Sequence, residues 1–308
     1  MLPKITTIEN IRRYIEVVQD EINRWCIKTP SWYRGQTEKQ NDEESLHLIP
    51  KVFTKKYNGR ENELIQVFRM RAQNYGEVPE FSRIDQWLFL MQHCNLPTRL
   101  LDWSEGALIA LYFSINRHDI NLPDKHVVWL LNPMVLNLLT YKKMVFDLTW
   151  IGYKALYPVR SGNICAAFEI DNPSKGDSYS NYPTAIYPQP VHPRVLAQKG
   201  CFTVQGKDKR GLDSIFETVN IESILASCDI KELTKTVDDR INGKKEVFIN
   251  QLIDQFNNGE LLQKLIIDVD EIEKWIYELK TLGISHSTLF PDLDGLAYEL
   301  SQMKSYIF

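Results

Sequence analysis

The sequence predicts an α+β fold, because segments with helical spacing alternate with short apolar runs. Apolar residues recur at helical intervals over residues 8–25 and 83–94. The runs 126–131 and 264–268 are short and apolar, as is typical of buried strands. The segments do not follow the regular strand–helix–strand period of a doubly wound sheet, so an α+β layout is favoured.

Each element follows from a local pattern. The first predicted elements are a helix at 8–25, an extended segment at 31–36, a polar loop at 37–45, an irregular segment or short strand at 46–53, and helices at 61–75 and 83–94. Asn95 tolerates the left-handed conformation that ends a helix, and Pro97 prevents the helix from continuing. Ser104 is the expected N-cap of a helix through Ile115, with Glu105 in its first turn. The later predictions are strands at 126–131, 185–187, 200–205, 217–225 and 264–268, and helices at 133–139, 250–256, 270–282 and 292–303.

Composition narrows the class of protein. The 308 residues carry a formal net charge of −4, so charge does not indicate a nucleic-acid partner. The five cysteines form no CxxC pair and the six histidines show no HxH or HExxH spacing, which argues against a disulfide framework and a metal site. No signal peptide and no membrane-length apolar segment are recognisable. We therefore expect a cytoplasmic protein without a membrane partner.

The run from Gln92 to Ser104 is the densest group of polar residues among buried-type residues. Polar groups beside a core must satisfy one another or bind a ligand. In an extended segment Thr98 and Asp102 would share one face and Arg99 would lie on the other, so Arg99 and Asp102 are expected to have different partners. Asp102 could act in catalysis or could orient Arg34.

Two further positions leave alternatives open. The Arg34 guanidinium suits a phosphate or carboxylate ligand, and Gly35 beside it would let a ligand approach the backbone. Alternatively, Arg34 pairs with an acid such as Asp102. His93 at a helix end is either a hydrogen-bonded structural residue or a base that Asp102 could orient. No GxSxG, Walker or GxGxxG motif is present.

These motifs resemble those of the FRG domain, named for a Phe-Arg-Gly signature. The matching segments are Tyr33-Arg34-Gly35-Gln36, residues 92–104, Leu48-Ile49-Pro50 with Phe53, residues 61–71, Ala110-Leu111-Tyr112-Phe113, residues 198–203 and residues 289–296. Three positions depart from the usual pattern, since Tyr33 replaces Phe, Asn95 replaces Gly and Ser104 replaces Thr. None of these changes removes a functional group.

The order of these parts is similar to that of an ADP-ribosyltransferase core. The resemblance implies a mixed or antiparallel split sheet with flanking helices, and NAD as the substrate. It places Arg34 on the pyrophosphate, Ser104 or Thr98 on the nicotinamide ribose, and Tyr112 against nicotinamide. The implied cofactor-binding residues are Arg34, Gly35, Gln36, Thr98, Arg99, Ser104 and Tyr112. The implied catalytic residues are Arg34, His93, Asp102, Glu105 and Gln198. Because Gln198 stands where an acid is needed, Glu105 or Asp102 would stabilise the oxocarbenium ion.

The resemblance therefore implies an NAD-dependent ADP-ribosyltransferase or an NAD-consuming effector, in a toxin or phage-defence setting. The acceptor would be a protein, a nucleic acid or water. One alternative is a non-catalytic module that binds a nucleotide or a partner. Another is a metal-dependent nuclease or hydrolase that uses His93, Asp102 and Glu105. The predicted domains are an FRG core with its N-terminal helix at 1–206 and an α/β extension packed on it at 207–308.

Overall fold

A computed structural model describes residues 3–26, 29–37, 46–57, 59–116, 125–141, 181–188, 193–226, 245–269 and 271–302. The strands in these ranges are β1 (Lys4–Ile8), β2 (Trp32–Thr37), β3 (Leu100–Ser104), β4 (His126–Leu131), β5 (Thr184–Ile186), β6 (Gly200–Val204) and β7 (Leu262–Ile267). The helices are α1 (Ile11–Arg24), α2 (Glu61–Ala72), α3 (Ile84–His93), α4 (Ala107–Ile115), α5 (Pro133–Tyr141), α6 (Pro193–Ala197), α7 (Leu212–Thr218), α8 (Ile221–Ala226), α9 (Lys245–Asn257), α10 (Ile272–Thr281), α11 (His286–Leu289) and α12 (Leu293–Ser301). Lys51–Phe53 forms a 3₁₀ turn.

The seven strands form one mixed sheet in the order β1-β7-β4-β2-β3-β6-β5. Only β1 and β7 are parallel among these neighbours, and the other pairs are antiparallel. The α+β class with a mixed sheet is thereby confirmed. Strand β7 lies between β1 and β4, so residues on both sides of position 206 build this sheet. The division into domains at that position stays a prediction.

The sheet is weakly joined between β2 and β3. All six residues of β2 pair with β4, whereas β2 meets β3 through the single pair Tyr33 and Ser104. On its other side, β3 pairs along its whole length with β6. The two parts of the sheet therefore separate beyond Tyr33, and Arg34 is the first residue of β2 past that junction.

Helix α4 covers one face of β2. Successive strand residues point to opposite faces, so Tyr33, Gly35 and Thr37 alternate with Trp32 and Arg34. The Thr37 hydroxyl donates to the main-chain oxygen of Ser114 in α4 at 2.6 Å. A Cβ built at Gly35 would overlap the main-chain oxygen of Ala110 and lie 2.6 Å from the Ser114 nitrogen. Gly35 thus permits close helix packing, and this side of its backbone is closed to a ligand.

Several local predictions are confirmed. The strands at 126–131 and 200–204 and the helices at 84–93 and 133–141 lie where the patterns place them. Asn95 has a φ of 59° and follows helix α3, as expected of a residue that ends a helix in the left-handed conformation. Most of the predicted polar loop at 37–45 lies outside the described residues.

Other local predictions are wrong for identifiable reasons. The helix expected at 8–25 begins at Ile11, and Ile8 instead ends a strand at residues 4–8 that was not predicted. This strand, β1, forms because β7, far along the chain, supplies its hydrogen bonds. The run 217–225 forms parts of α7 and α8 instead of a strand, since its apolar residues also fit a helix. Ser104 remains in β3 and Gly106 precedes α4, because the Ser104 hydroxyl donates to the main-chain oxygen of Gln198 at 2.7 Å.

We predict that Gly35→Ala destabilises the fold by about 3 kcal/mol, because the new methyl group cannot fit against the α4 backbone. Urea denaturation of the wild type and the variant measures this loss. Gly283→Asn is the control, since nothing lies within 4 Å of a Cβ there and Asn tolerates the positive φ of 85°. Equal losses in the two variants would contradict the packing argument.

Candidate functional site

Arg34 spans the opening between β2 and β3. Its Nη1 donates to the main-chain oxygen of Asp102 at 2.6 Å and lies 3.7 Å from the Asp102 Oδ2. The Arg34 side chain is 20% exposed and the Asp102 side chain is 58% exposed. The structure therefore presents a guanidinium and a carboxylate side by side at the surface, each held on a different strand.

A second set of hydrogen bonds orients the Asp102 carboxylate. The Gln92 amide, on helix α3, donates to Asp102 Oδ2 at 2.8 Å. The Gln92 carbonyl oxygen accepts from the hydroxyl of buried Thr98, and that hydroxyl accepts from the Leu100 main-chain nitrogen at 3.1 Å. The Thr98 hydroxyl therefore bonds to other groups of the protein, and Asp102 is the exposed end of this series of hydrogen bonds.

Arg99 points away from Asp102, as the alternation of an extended segment predicts. Its Nε and Nη2 each lie 2.7 Å from Glu61 Oε2, and its main-chain nitrogen donates to Glu61 Oε1 at 2.8 Å. Both side chains are buried. The structure gives Arg99 a structural partner on helix α2 and leaves it out of the exposed pair, and its place among the cofactor-binding residues stays a prediction.

Ser104 and Gln198 are brought together, but inside the fold. The Ser104 hydroxyl donates to the Gln198 main-chain oxygen and accepts from the Gly106 nitrogen at 2.9 Å. The Gln198 side chain donates to the main-chain oxygen of Leu289 at 3.1 Å. Ser104, which the resemblance assigns to NAD binding, and Gln198, which it assigns to catalysis, thus have internal partners in this structure.

Glu105 lies just beyond the junction of β2 and β3 and accepts a hydrogen bond from the Tyr187 hydroxyl. Burial, followed by this bond to Glu105, raises the pKa of Tyr187 well above its ordinary value. Tyr187 therefore remains a donor that fixes the carboxylate. Its ring also packs edge-on against Trp32, with the ring centroids 5.5 Å apart.

The remaining predicted residues have separate positions. The Gln36 side chain accepts from the Trp129 indole at 2.7 Å and donates to the His47 main-chain oxygen at 3.1 Å. His93 is the last residue of α3, one position after Gln92. Tyr112 is buried, and its hydroxyl lies 3.1 Å from His286 Nδ1. Tyr112 therefore contacts the C-terminal segment. The resemblance implies a contact with nicotinamide instead.

The C-terminal segment 285–302 packs against the part of the protein that carries Tyr112 and Arg194. The rings of Phe290 and Tyr298 lie 4.4 and 4.2 Å from the His286 ring, and Arg194 pairs with Asp292 at 2.6 Å. Burial lowers the pKa of His286, so the neutral ring is favoured. This segment also supplies the Leu289 oxygen that holds Gln198.

Sequence reasoning missed two pairs of residues. Tyr187 orients Glu105, and Asp213 lies 2.6 Å from the ring of His47. The partners are 82 and 166 positions apart in the chain. No local spacing could have joined them, although His47 directly precedes the Leu48-Ile49-Pro50 motif.

Comparison with known families supplies one assignment. The family model described as FRG domain matches residues 29–121, so the chain contains an FRG domain there. This range includes β2, β3 and the candidate pair Arg34 and Asp102. Neither a curated protein nor a solved structure matches the chain.

The described residues contain neither a metal-binding cluster nor a membrane-spanning helix. No group of three or more His, Cys, Asp or Glu side chains that could hold a metal ion occurs within those ranges. Among the helices that the structure describes, none is long and apolar enough to cross a membrane.

We predict that Arg99→Met destabilises the protein by about 3–5 kcal/mol, because Glu61 would be left as an unpaired buried charge. Urea denaturation measures the loss. Adding Glu61→Gln to this variant should restore much of it. Arg60→Ala is the control, since it removes the exposed pair with Glu63 and should cost about 1 kcal/mol or less. A loss no greater than that of the control would show that Arg99 has no buried structural role.

We predict that the C-terminal segment contributes less to the stability of the folded protein in acid. Burial alone would raise the pKa of Glu299, but hydrogen bonds from Ser287 and Ser285 and the pairing with Lys280 outweigh it and lower the pKa to about 2. A lowered carboxyl pKa stabilises the folded state above the ordinary value of 4.5, and this contribution disappears as the pH falls from there towards 2.

Thermal melting of wild type and Glu299→Gln at several pH values tests this expectation. The variant should melt at a lower temperature at pH 7, and the difference should shrink below pH 4.5. Glu63→Gln, which alters an exposed ion pair, controls for a general change of surface charge. A difference that stays constant with pH would contradict the role given to Glu299.

Proposed function

We propose that this FRG domain binds NAD at the opening between β2 and β3 and transfers its ADP-ribose to an acceptor or to water. The observation that supports the proposal is the pair formed by Arg34 and Asp102, in which a guanidinium lies 3.7 Å from an exposed carboxylate. A guanidinium suits the pyrophosphate of a dinucleotide. A carboxylate accepts hydrogen bonds from ribose hydroxyls. NAD carries both groups.

The proposal assigns a particular role to Asp102. When nicotinamide leaves, positive charge develops on the ribose, and a preorganised carboxylate nearby stabilises that charge. Asp102 is oriented by Gln92 and is exposed, whereas the Gln198 amide donates to Leu289. Asp102 therefore fits the acidic role that Gln198 cannot perform. Gln92 acts through Asp102 and is a positioning residue.

The wider role comes from the resemblance and is compatible with the proposed chemistry. An enzyme that consumes NAD depletes a central metabolite, as an effector in a toxin or phage-defence setting would. Such an effector would act in the cytoplasm, where NAD and macromolecular acceptors are available. These statements depend on the proposed activity and extend the proposal.

A non-catalytic NAD-binding or partner-binding module is the second candidate. The hydrogen bonds that engage Ser104 and Gln198 favour it, because they occupy two groups that a transferase would direct at the substrate. The two candidates differ in whether nicotinamide is released.

We expect Asp102→Asn to lower the rate of nicotinamide release from NAD by roughly 10²–10³-fold with little change in NAD affinity, because the charge that stabilises the transition state is lost. Arg34→Gln should instead weaken NAD binding. Release is followed by chromatography, affinity by calorimetry and folding by thermal melting. Arg12→Ala, an exposed charge change on α1, is the control.

The outcomes separate the two candidates. NAD binding without nicotinamide release by the wild type would favour the binding module. Unchanged NAD affinity and release in folded Arg34→Gln and Asp102→Asn would contradict the proposed site.

A further inference from the structure

His47 and Asp213 form a histidine–carboxylate pair that has no role in the site described so far. The His47 Nδ1 lies 2.6 Å from Asp213 Oδ2. The His47 side chain is 51% exposed, whereas that of Asp213 is 7% exposed. Because a carboxylate only accepts hydrogen bonds, the neutral ring places its hydrogen on Nδ1 and its lone pair on Nε2. A buried acid thus orients a half-exposed base.

The surroundings of Asp213 are built to hold this arrangement. Asp213 Oδ1 accepts from the Leu48 main-chain nitrogen at 3.0 Å, and the Leu212 nitrogen donates to the Leu48 oxygen at 3.0 Å. A Cβ built at Gly211 would lie 2.5 Å from Asp213 Oδ1 and 2.9 Å from a side-chain atom of Ile49. The absence of a side chain at Gly211 therefore leaves room for the carboxylate.

The pair is tied to the strand that carries Arg34. Gln36 follows Arg34 by two positions on β2, so their side chains leave the same face of the strand from Cα atoms about 7 Å apart. The Gln36 amide donates to the His47 main-chain oxygen at 3.1 Å, and its carbonyl oxygen accepts from Trp129. Gln36 therefore fixes the backbone of His47 on the face of β2 to which Arg34 belongs.

We infer that His47 is the general base of this site and that Asp213 is its positioning residue. The inference rests on the proposed NAD activity, and it names the group that activates the acceptor. A general base must have a lone pair, an accessible position and an orienting partner. Nε2 of His47 has all three.

The proposed step is balanced. As the acceptor oxygen of water or a hydroxyl attacks C1′ of the nicotinamide ribose, the C1′–O bond forms and the C1′–N bond to nicotinamide breaks. Nicotinamide leaves with the electron pair of that bond as a neutral molecule. The acceptor proton passes to His47 Nε2, and the Asp213 carboxylate stabilises the resulting imidazolium.

Two variants test the inference with NAD as the substrate and water as the acceptor. We expect His47→Gln to lower kcat for nicotinamide release by roughly 10²–10⁴-fold with little change in KM. Asp213→Asn should cause a similar loss. Its amide oxygen can still accept from Leu48, but its NH₂ group would donate to Nδ1 and force the His47 hydrogen onto Nε2.

A matched control and a second readout distinguish positioning from folding. Asp208→Asn changes an acid that pairs with Arg210 between β6 and α7, just before the helix that carries Asp213. This variant should leave turnover unchanged. Nitrogen NMR of the imidazole should show the His47 hydrogen on Nδ1 in the wild type and on Nε2 in Asp213→Asn. Added imidazole should partly restore turnover to His47→Ala.

The outcomes decide whether His47 is the general base and whether the proposed activity stands. Lost turnover with retained NAD binding in His47→Gln and Asp213→Asn, together with the tautomer change, supports the inference. Unchanged turnover in these variants, while Asp102→Asn is impaired, overturns the role of His47 and leaves the proposed activity standing. Absence of nicotinamide release from the wild type overturns both.

Discussion

The hydrogen bond from Arg34 to the main-chain oxygen of Asp102 crosses the point where the sheet separates into two parts. Strands β2 and β3 share only the pair Tyr33 and Ser104, so beyond it their backbones have no common ladder. A side chain replaces the missing backbone bond and holds the two parts in register. The same contact brings a cation next to a carboxylate, so the weakest junction of the sheet is also the candidate site.

The helices on either side of this junction determine which of its groups can reach a ligand. Helix α4 closes one face of β2 at Gly35, while Gln92 on α3 holds the carboxylate of Asp102. Groups such as Arg99, Ser104 and Gln198 are used to join elements of the core. Most polar groups of the run 92–104 therefore bond to other groups of the protein, and only part of the run is exposed to a ligand.

Local patterns predicted the elements that residue type and spacing already indicate. The left-handed Asn95 and the helices 84–93 and 133–141 depend on residues close in sequence. The apolar run 126–131 indicated a buried strand, although its partners β2 and β7 lie far along the chain. Elements were missed or misplaced where a distant partner decides the conformation. Residues 4–8 become a strand because β7 lies beside them, and Ser104 is held in β3 by Gln198.

The sequence by itself determined the α+β class and the candidate residues Arg34 and Asp102, because these follow from residue type and short-range spacing, and its motifs carried the resemblance to the FRG domain. It also indicated that Arg99 and Asp102 face opposite ways, since side chains alternate along an extended segment. Only the tertiary structure decided that Gly35 is closed by α4 and that His47 meets Asp213, 166 positions away. Contacts of that range are set by how the whole chain folds, and no local periodicity records them.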